Sequence, residues 1–91
     1  MSKFLVVHVM PTPMTAEEAG YIGQKVKAML TADAYWVKSW AQLNEDGKIV
    51  RILCEWNAVD EDAIRRVLDK LPDAPVEGIY PMKVVDSEDF R

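Results

Sequence analysis

Three residues with acid, base or anion-binding side chains are predicted to share one surface of this chain. His8 is the single histidine among the 91 residues, and an imidazole can accept or donate a proton near neutral pH. Arg51 and Glu55 are four residues apart on a predicted strand, so their side chains point to the same side. This pattern favours a catalytic site in which Arg51 binds an anionic group of a small ligand while Glu55 or His8 moves a proton. One alternative stays open, in which His8 is a buried neutral imidazole held by a hydrogen bond.

Two tryptophans and a lysine are predicted to complete this site as ligand-binding residues. Trp36, Lys38 and Trp40 alternate along the preceding predicted strand, so they share one face of it. Indole rings there would form apolar walls around a compact ligand, or they would anchor an interface with a second copy of the chain. Cross-strand ion pairing is expected among Lys38, Arg51 and Glu55, which share this face of the two strands.

The single cysteine, Cys54, is predicted to be a small buried residue and not a catalytic thiol. It alternates with Glu55 on the same predicted strand, and no basic residue on its own face would lower its pKa. We therefore expect Cys54 to point away from His8 and to lie beneath the helices.

The strands that carry these residues are predicted to form a hairpin around the turn Asn44 to Gly47. An Asp-Gly pair supplies the positive φ that such a turn needs. The even loop length predicts a helix-facing side made of Val37, Ser39, Ala41, Leu43, Val50, Ile52, Cys54 and Trp56. The opposite side is predicted to carry Trp36, Lys38, Trp40, Gln42, Ile49, Arg51, Leu53 and Glu55.

The segment before the hairpin is predicted to form a strand and a helix. Phe4 to Met10 is rich in β-branched residues, and the strand is expected to end at Pro11 to Pro13 because proline cannot continue a sheet ladder. Thr15 to Glu18 matches a capping box, and apolar residues then recur at helical spacing through Leu30. Gly20 and Gly23 within this helix are expected either to permit its close approach to the sheet or to weaken it.

The segment after the hairpin is predicted to form a second helix and an edge strand. Asp60 can cap the helix, which Pro72 ends. The strand from Val76 to Asp86 contains Pro81, which is tolerated best at an edge. The resulting order predicts an α+β, ferredoxin-like βαββαβ fold, with an antiparallel four-stranded sheet ordered 4-1-3-2 and both helices on one face.

The first strand is predicted to turn Leu5, Val7 and Val9 toward the helices. Its other side chains then join the tryptophans on the open face of the sheet: Phe4, Val6, His8 and Met10. An apolar face of this extent is unusual on a soluble monomer, and it favours either an interface or a ligand cavity. We therefore predict a homodimer with its two sheets packed face to face, enclosing a small cavity that binds a compact ligand or a divalent metal. A purely structural dimer without a ligand remains an alternative.

Length and composition predict a single domain over residues 1 to 91. The net charge of −4 argues against nucleic acid as a partner, which would require a basic face. No apolar run is long enough to cross a membrane, and no signal sequence is evident. Together with the single cysteine, these features favour a cytoplasmic protein.

The hairpin resembles a known group of small dimeric α+β-barrel proteins, grouped as domain of unknown function 4242, which includes a nickel-binding protein. The similar residues are those of Tyr35 to Trp40, Asp46 to Lys48 and Leu53 to Ala58, followed by Glu61, Ala63 and Ile64. The first strand, Phe4 to His8, is also similar to that of the metal-binding relatives, where a histidine occupies a comparable place.

This resemblance implies a dimeric barrel and a role for His8 as a metal ligand, with nickel or zinc as the candidate metals. Relatives carry further histidines that this chain lacks, since His8 is its only one. The wider dimeric-barrel superfamily includes lactone isomerases and cofactor-free monooxygenases, which implies an enzyme acting on a small organic substrate as the alternative.

Overall fold

Residues 1 to 90 are described by the computed structural model, in which one antiparallel sheet carries two α-helices on a single face. The elements are β1 Ser2–Met14, α1 Ala16–Ala28, β2 Ala34–Leu43, β3 Ile49–Ala58, α2 Glu61–Leu68, β4 Gly78–Met82 and a short 3-10 turn Ser87–Phe90. The strands lie in the order β2-β3-β1-β4, which is the predicted order counted from the other edge. The predicted ferredoxin-like α+β fold is confirmed.

Both helices begin at the residues that the sequence indicates. Thr15 Oγ1 accepts a hydrogen bond from the Glu18 amide at 3.1 Å, and the Glu18 carboxylate accepts one from the Thr15 amide at 3.2 Å, which completes the predicted capping box. Asp60 Oδ1 accepts from the Ala63 amide at 2.8 Å and caps α2. Neither helix of the described residues is long and apolar enough to span a membrane.

The hairpin turn is held by one asparagine side chain. Asn44 Oδ1 accepts hydrogen bonds from the backbone amides of Asp46 at 2.9 Å and Lys48 at 3.0 Å. Gly47 has a φ of 77°, the left-handed conformation that the Asp-Gly pair predicts. The turn therefore forms where the sequence places it.

β1 extends further than predicted, because the strand runs through Pro11 and Pro13 to Met14. Regular pairing with β3 stops at Val9, and the register then shifts before Met14 pairs with Ile49. β4 pairs with β1 only from Lys3 to Val7, so the proline-containing stretch has no neighbour on that side. The missing amide donors of the prolines consequently break no ladder there.

The helices cover the face of β1 opposite to the predicted one. Phe4, Val6 and Met10 are buried, and the first two belong to the core beneath the helices, whereas Val9 is 49% exposed on the open face. The prediction that Leu5, Val7 and Val9 face the helices is therefore wrong. Both faces of β1 are apolar, so alternation alone does not distinguish them, and pairing of Val6 with Cys54 decides the orientation.

A bulge in β2 overturns a second prediction. Trp36 pairs with Trp56, but the next paired residue of β2 is Lys38, opposite Glu55, so Val37 is the extra residue. Trp36 therefore lies on the helix side, with Trp56, instead of on the open face. Beyond the bulge the predicted alternation is correct from Lys38 to Gln42, where Ser39 pairs with Cys54 on the helix side. A second register shift, between Gln42 and Leu43, places Ile49 at the cavity instead of on the predicted open face.

Two glycines test how backbone conformation contributes to stability. Gly20→Ala is expected to raise the free energy of unfolding by roughly 0.5–1 kcal/mol, because glycine weakens a helix interior. A Cβ at Gly20 would meet no atom within 4 Å. Gly47→Ala is expected to lower the free energy of unfolding by roughly 1–2 kcal/mol, because alanine rarely adopts the left-handed conformation. Urea denaturation measures both changes, and equal midpoints for the two variants would show that these backbone conformations do not limit stability.

Candidate functional site

The six predicted site residues lie on two opposite faces of the sheet. His8 and Trp36 are on the helix side, whereas Lys38, Trp40, Arg51 and Glu55 are on the open face. The predicted combination of His8 with Arg51 and Glu55 on one surface is therefore wrong. The prediction fails because the helices cover the face of β1 opposite to the predicted one, so His8 lies on the helix side of the sheet.

A cavity of about 460 Å³ lies between α1 and the sheet. α1 borders it with the small or aliphatic residues Ala19, Gly20, Ile22, Gly23 and Val26. The sheet borders it with His8, Met10, Trp36, Ser39, Ala41, Ile49, Ile52, Cys54 and Trp56. Gly23 lies against the Trp36 ring, where an added Cβ would be 3.4 Å from Trp36 Cη2, an ordinary van der Waals distance. The close approach expected of the glycines is thus present at Gly23 and absent at Gly20.

His8 is the polar residue at the floor of this cavity. Its side chain is 6% exposed, and Nδ1 lies 2.7 Å from the carbonyl oxygen of Pro75, in the loop between α2 and β4. Because a carbonyl oxygen can only accept, the neutral imidazole carries its proton on Nδ1 and keeps a lone pair on Nε2. The bond to Pro75 therefore does not use Nε2.

Burial keeps His8 in its neutral form. Removal from water lowers the pKa of His8 from its ordinary value of 6.5, and the carbonyls of Pro75 and Ala74 oppose this effect only partly. A buried neutral imidazole with one hydrogen bond is the structural alternative that the sequence left open for this residue. It is nevertheless compatible with a role in binding, because His8 also borders the cavity.

A hydrogen-bond chain runs across the cavity wall from β2 to β3. Trp36 Nε1 donates to Ser39 Oγ at 2.8 Å, and Ser39 Oγ donates to Cys54 Sγ at 3.0 Å. Burial raises the pKa of the Cys54 thiol above its ordinary value, while the bond from Ser39 lowers it to a smaller extent. The thiol is therefore protonated and unreactive at neutral pH.

Cys54 agrees with one prediction and contradicts another. It is a buried residue in the core beneath the helices, as expected. It does not point away from His8, because both residues border the same cavity. Trp56 also borders the cavity and is 1% exposed, and its Nε1 finds no acceptor among the described residues.

The open face carries the remaining predicted site residues in a different set of contacts. Glu55 forms its salt bridge with Lys3 of β1, and the expected ion pairing of Glu55 with Lys38 or Arg51 does not form among the described residues. Lys38 Nζ instead lies 5.3 Å from the centre of the Trp40 ring, within the range of a cation–π interaction. Tyr80 Oη donates to Glu77 at 2.8 Å, and this bond raises the pKa of Tyr80.

Some residues that border the cavity were not predicted as site residues, although the hairpin register in the sequence indicated their position. The hairpin register correctly placed Ser39, Cys54 and Trp56 together on the helix side. Pairing β1 with β3 by register, instead of by the apolarity of its two faces, would have added His8 to this group. Nothing in the sequence located the bulge at Val37.

A conventional metal centre is not formed by residues 1 to 90. No group of three or more histidine, cysteine, aspartate or glutamate side chains in that range is placed to hold an ion. His8 and Cys54 are the histidine and the cysteine that border the cavity, whereas protein sites for nickel or zinc usually use more such ligands. The donor set of a single chain therefore does not fit a resident metal ion.

Burial of neutral His8 makes stability depend on pH. Because its folded pKa is lowered, the unfolded chain binds the proton more tightly, so stability is fully present above about pH 6.5 and falls as the pH drops below it. His8→Gln removes the titrating group. Between about pH 7.5 and about pH 5.5 the variant should therefore lose less stability than the wild-type protein, and the difference should be up to about 1.4 kcal/mol per pH unit. Urea midpoints at both pH values measure the difference. The same pH slope in both proteins would show that His8 is solvated.

Comparisons with known proteins agree with this architecture. The chain is similar to the crystal structure of SCO4226 from Streptomyces coelicolor A3(2), with a TM-score of 0.77 and 16% identity over 93% of this chain and 100% of that chain. At this identity, the similarity shows the fold alone. No curated protein matches the chain. A family model described as nickel responsive protein SCO4226-like matches residues 4–82, which is most of the sequence, and the chain therefore belongs to the SCO4226-like family.

Proposed function

We propose that this protein binds a compact small molecule in the cavity between α1 and the sheet, and that it does so as a homodimer joined through the open sheet face. The observation that carries the proposal is the cavity of about 460 Å³ with His8 at its floor. Small-molecule sites typically occupy about 300–1,000 Å³ and combine apolar walls with a few polar groups. The cavity matches this description in both volume and chemistry.

The position of the ligand differs from the one that the sequence predicted. A site between two sheets was expected, with His8, Arg51 and Glu55 moving a proton. Because the structure separates His8 from the other two residues, it removes the combination on which an isomerase or monooxygenase was based. Binding without chemistry is therefore the simpler proposal. Trp36 remains a ligand-binding residue in it, as an aromatic wall of the cavity.

The open sheet face supports the homodimer. Its side chains include Val9, Trp40 and Tyr80, which are 49%, 53% and 44% exposed. Leu5 and Leu53 lie between them by strand alternation and pairing. A second copy packed sheet to sheet would cover this surface, and stable pairs usually bury about 1,200–2,000 Å² in total. In this arrangement Lys38, Trp40, Arg51 and Glu55 contribute to the dimer instead of a catalytic site.

The description of the family as nickel responsive favours a second candidate, divalent metal binding. The unpaired Nε2 of His8 is a suitable nitrogen donor, and Cys54 Sγ borders the same cavity. Because the single chain supplies no further cluster of donors within its described residues, we propose that nickel or zinc binds weakly at most.

Occupation of the cavity can be tested with an uncharged apolar probe. 2-Methoxynaphthalene is expected to shift the NMR signals of the Gly20 and Gly23 amides and of Trp36 Nε1–H in a saturable manner, because these groups border the cavity. Ala19→Phe should weaken this binding by filling the space, whereas Ala28→Phe should leave it unchanged. Ala28 is the matched control, since it lies on α1 but does not border the cavity. Shifts confined to the open face would contradict the proposed site.

Dimer formation can be tested by placing a charge on the open face. Trp40→Glu should raise the dimer dissociation constant by at least about tenfold, because it would put a carboxylate into a desolvated interface. Tyr21→Glu is the matched control, since Tyr21 is an aromatic residue on α1 with a similar exposure of 59%. Sedimentation velocity gives both constants. Unchanged association of the Trp40 variant, or a monomeric wild-type protein at micromolar concentration, would exclude this interface.

Metal binding can be measured by calorimetry with nickel and with zinc. We expect weak binding at most in the wild-type protein and none in His8→Ala, because His8 is the only histidine. Tight stoichiometric binding that survives the substitution would place a metal site elsewhere in the protein.

A further inference from the structure

We infer that the cavity selects uncharged ligands that present one hydrogen-bond donor on an aromatic or otherwise apolar body, such as a phenol, and that His8 Nε2 accepts this hydrogen bond. The inference rests on the proposed binding of a small molecule in the cavity and adds the class of that molecule.

The hydrogen bond from His8 to Pro75 determines what a ligand can offer to the other ring nitrogen. Pro75 fixes the proton of His8 on Nδ1, at a distance of 2.7 Å. The bond to Pro75 does not use Nε2, so the ring keeps an acceptor at that nitrogen. A ligand hydroxyl or N–H can donate to it, whereas a ligand carbonyl or ether oxygen cannot form this bond.

The other buried polar groups of the cavity wall are already engaged or enclosed. Trp36 Nε1 donates to Ser39, and the Ser39 hydroxyl donates to Cys54. Trp56 Nε1 is enclosed by the core and is not accessible from the cavity. His8 is therefore the buried polar side chain that the wall offers to a ligand, while the Gln24 amide borders the cavity from an exposed position on α1.

Charged side chains border the cavity only at its rim. They are Lys27 and Asp73, and both are exposed. Lys27 Nζ lies 5.6 Å from the centre of the Tyr35 ring, and Asp73 accepts a hydrogen bond from Lys25 at 3.1 Å. No buried cation borders the cavity among the described residues, so an anionic ligand would lose its hydration without gaining a partner.

The apolar walls of the cavity are partly flat. Trp36 and Trp56 pair across β2 and β3 on the helix side, and both border the cavity together with Ile52. Indole rings present flat surfaces against which another ring packs in an offset or edge-to-face manner. These walls favour a planar body over a branched one.

Three naphthalene derivatives of similar size test the selectivity. 2-Naphthol carries a neutral donor, 2-methoxynaphthalene has no donor, and 2-naphthoate is an anion at neutral pH. We expect 2-naphthol to bind the wild-type protein about tenfold more tightly than the ether, as one net hydrogen bond implies, and 2-naphthoate to bind more weakly than both. Equal affinity for the first two compounds, or preference for the anion, would overturn the inference.

Two substitutions assign the acceptor. His8→Phe should lower the affinity for 2-naphthol to that for the ether, while His8→Gln, which keeps a side-chain acceptor, should retain part of the difference. If His8→Phe does not fold, the ¹⁵N chemical shift of Nε2 in the wild-type protein gives a second measurement. It should move on addition of 2-naphthol and not on addition of 2-methoxynaphthalene, and an unchanged shift with bound 2-naphthol would exclude His8 as the acceptor.

The same titrations distinguish this inference from the proposed function. Failure of all three compounds to bind would contradict small-molecule binding in the cavity. Binding of 2-naphthol and its methyl ether with equal affinity would leave that binding intact and contradict the donor selectivity alone.

Discussion

Antiparallel pairing of β1 with β3 determines which residues of this protein can meet. Successive side chains of a strand point to opposite faces, so one pair, Val6 opposite Cys54, fixes the face of every regularly paired residue in both strands. That pair places His8 under α1 beside the two core tryptophans. It also leaves Arg51 and Glu55 on the open face. The chemistry available at each surface therefore follows from this single register.

The two helices contribute unequally to the structure around the cavity. α2 buries Ala63, Ile64, Val67 and Leu68 against the sheet, whereas Val26 is the buried residue of α1. Burial of apolar area is the main stabilising term for such contacts, so α2 is held more firmly than α1. A loosely seated α1 with small residues at positions 19, 20 and 23 leaves the space that a ligand would occupy.

The sequence predicted the fold from strong local signals. The capping residues Thr15 and Asp60 and the turn at Gly47 act within a few residues of their own positions, so their effects are visible in the sequence. The faces of β1 and the bulge at Val37 depend on pairing between distant segments. Local composition does not encode that pairing when both faces of a strand are apolar. The site was consequently predicted on the open face, whereas the structure places His8 and Trp36 at the cavity beneath α1.

The prolines of β1 have a consequence for how the protein behaves at high concentration. The stretch from Met10 to Met14 continues past the end of β4, and an uncovered strand of this kind can recruit a strand from another molecule. Pro11 and Pro13 have no amide hydrogen to offer to such a strand. An extended segment that would otherwise be a nucleus for aggregation is thereby made a poor template for intermolecular β-sheet growth.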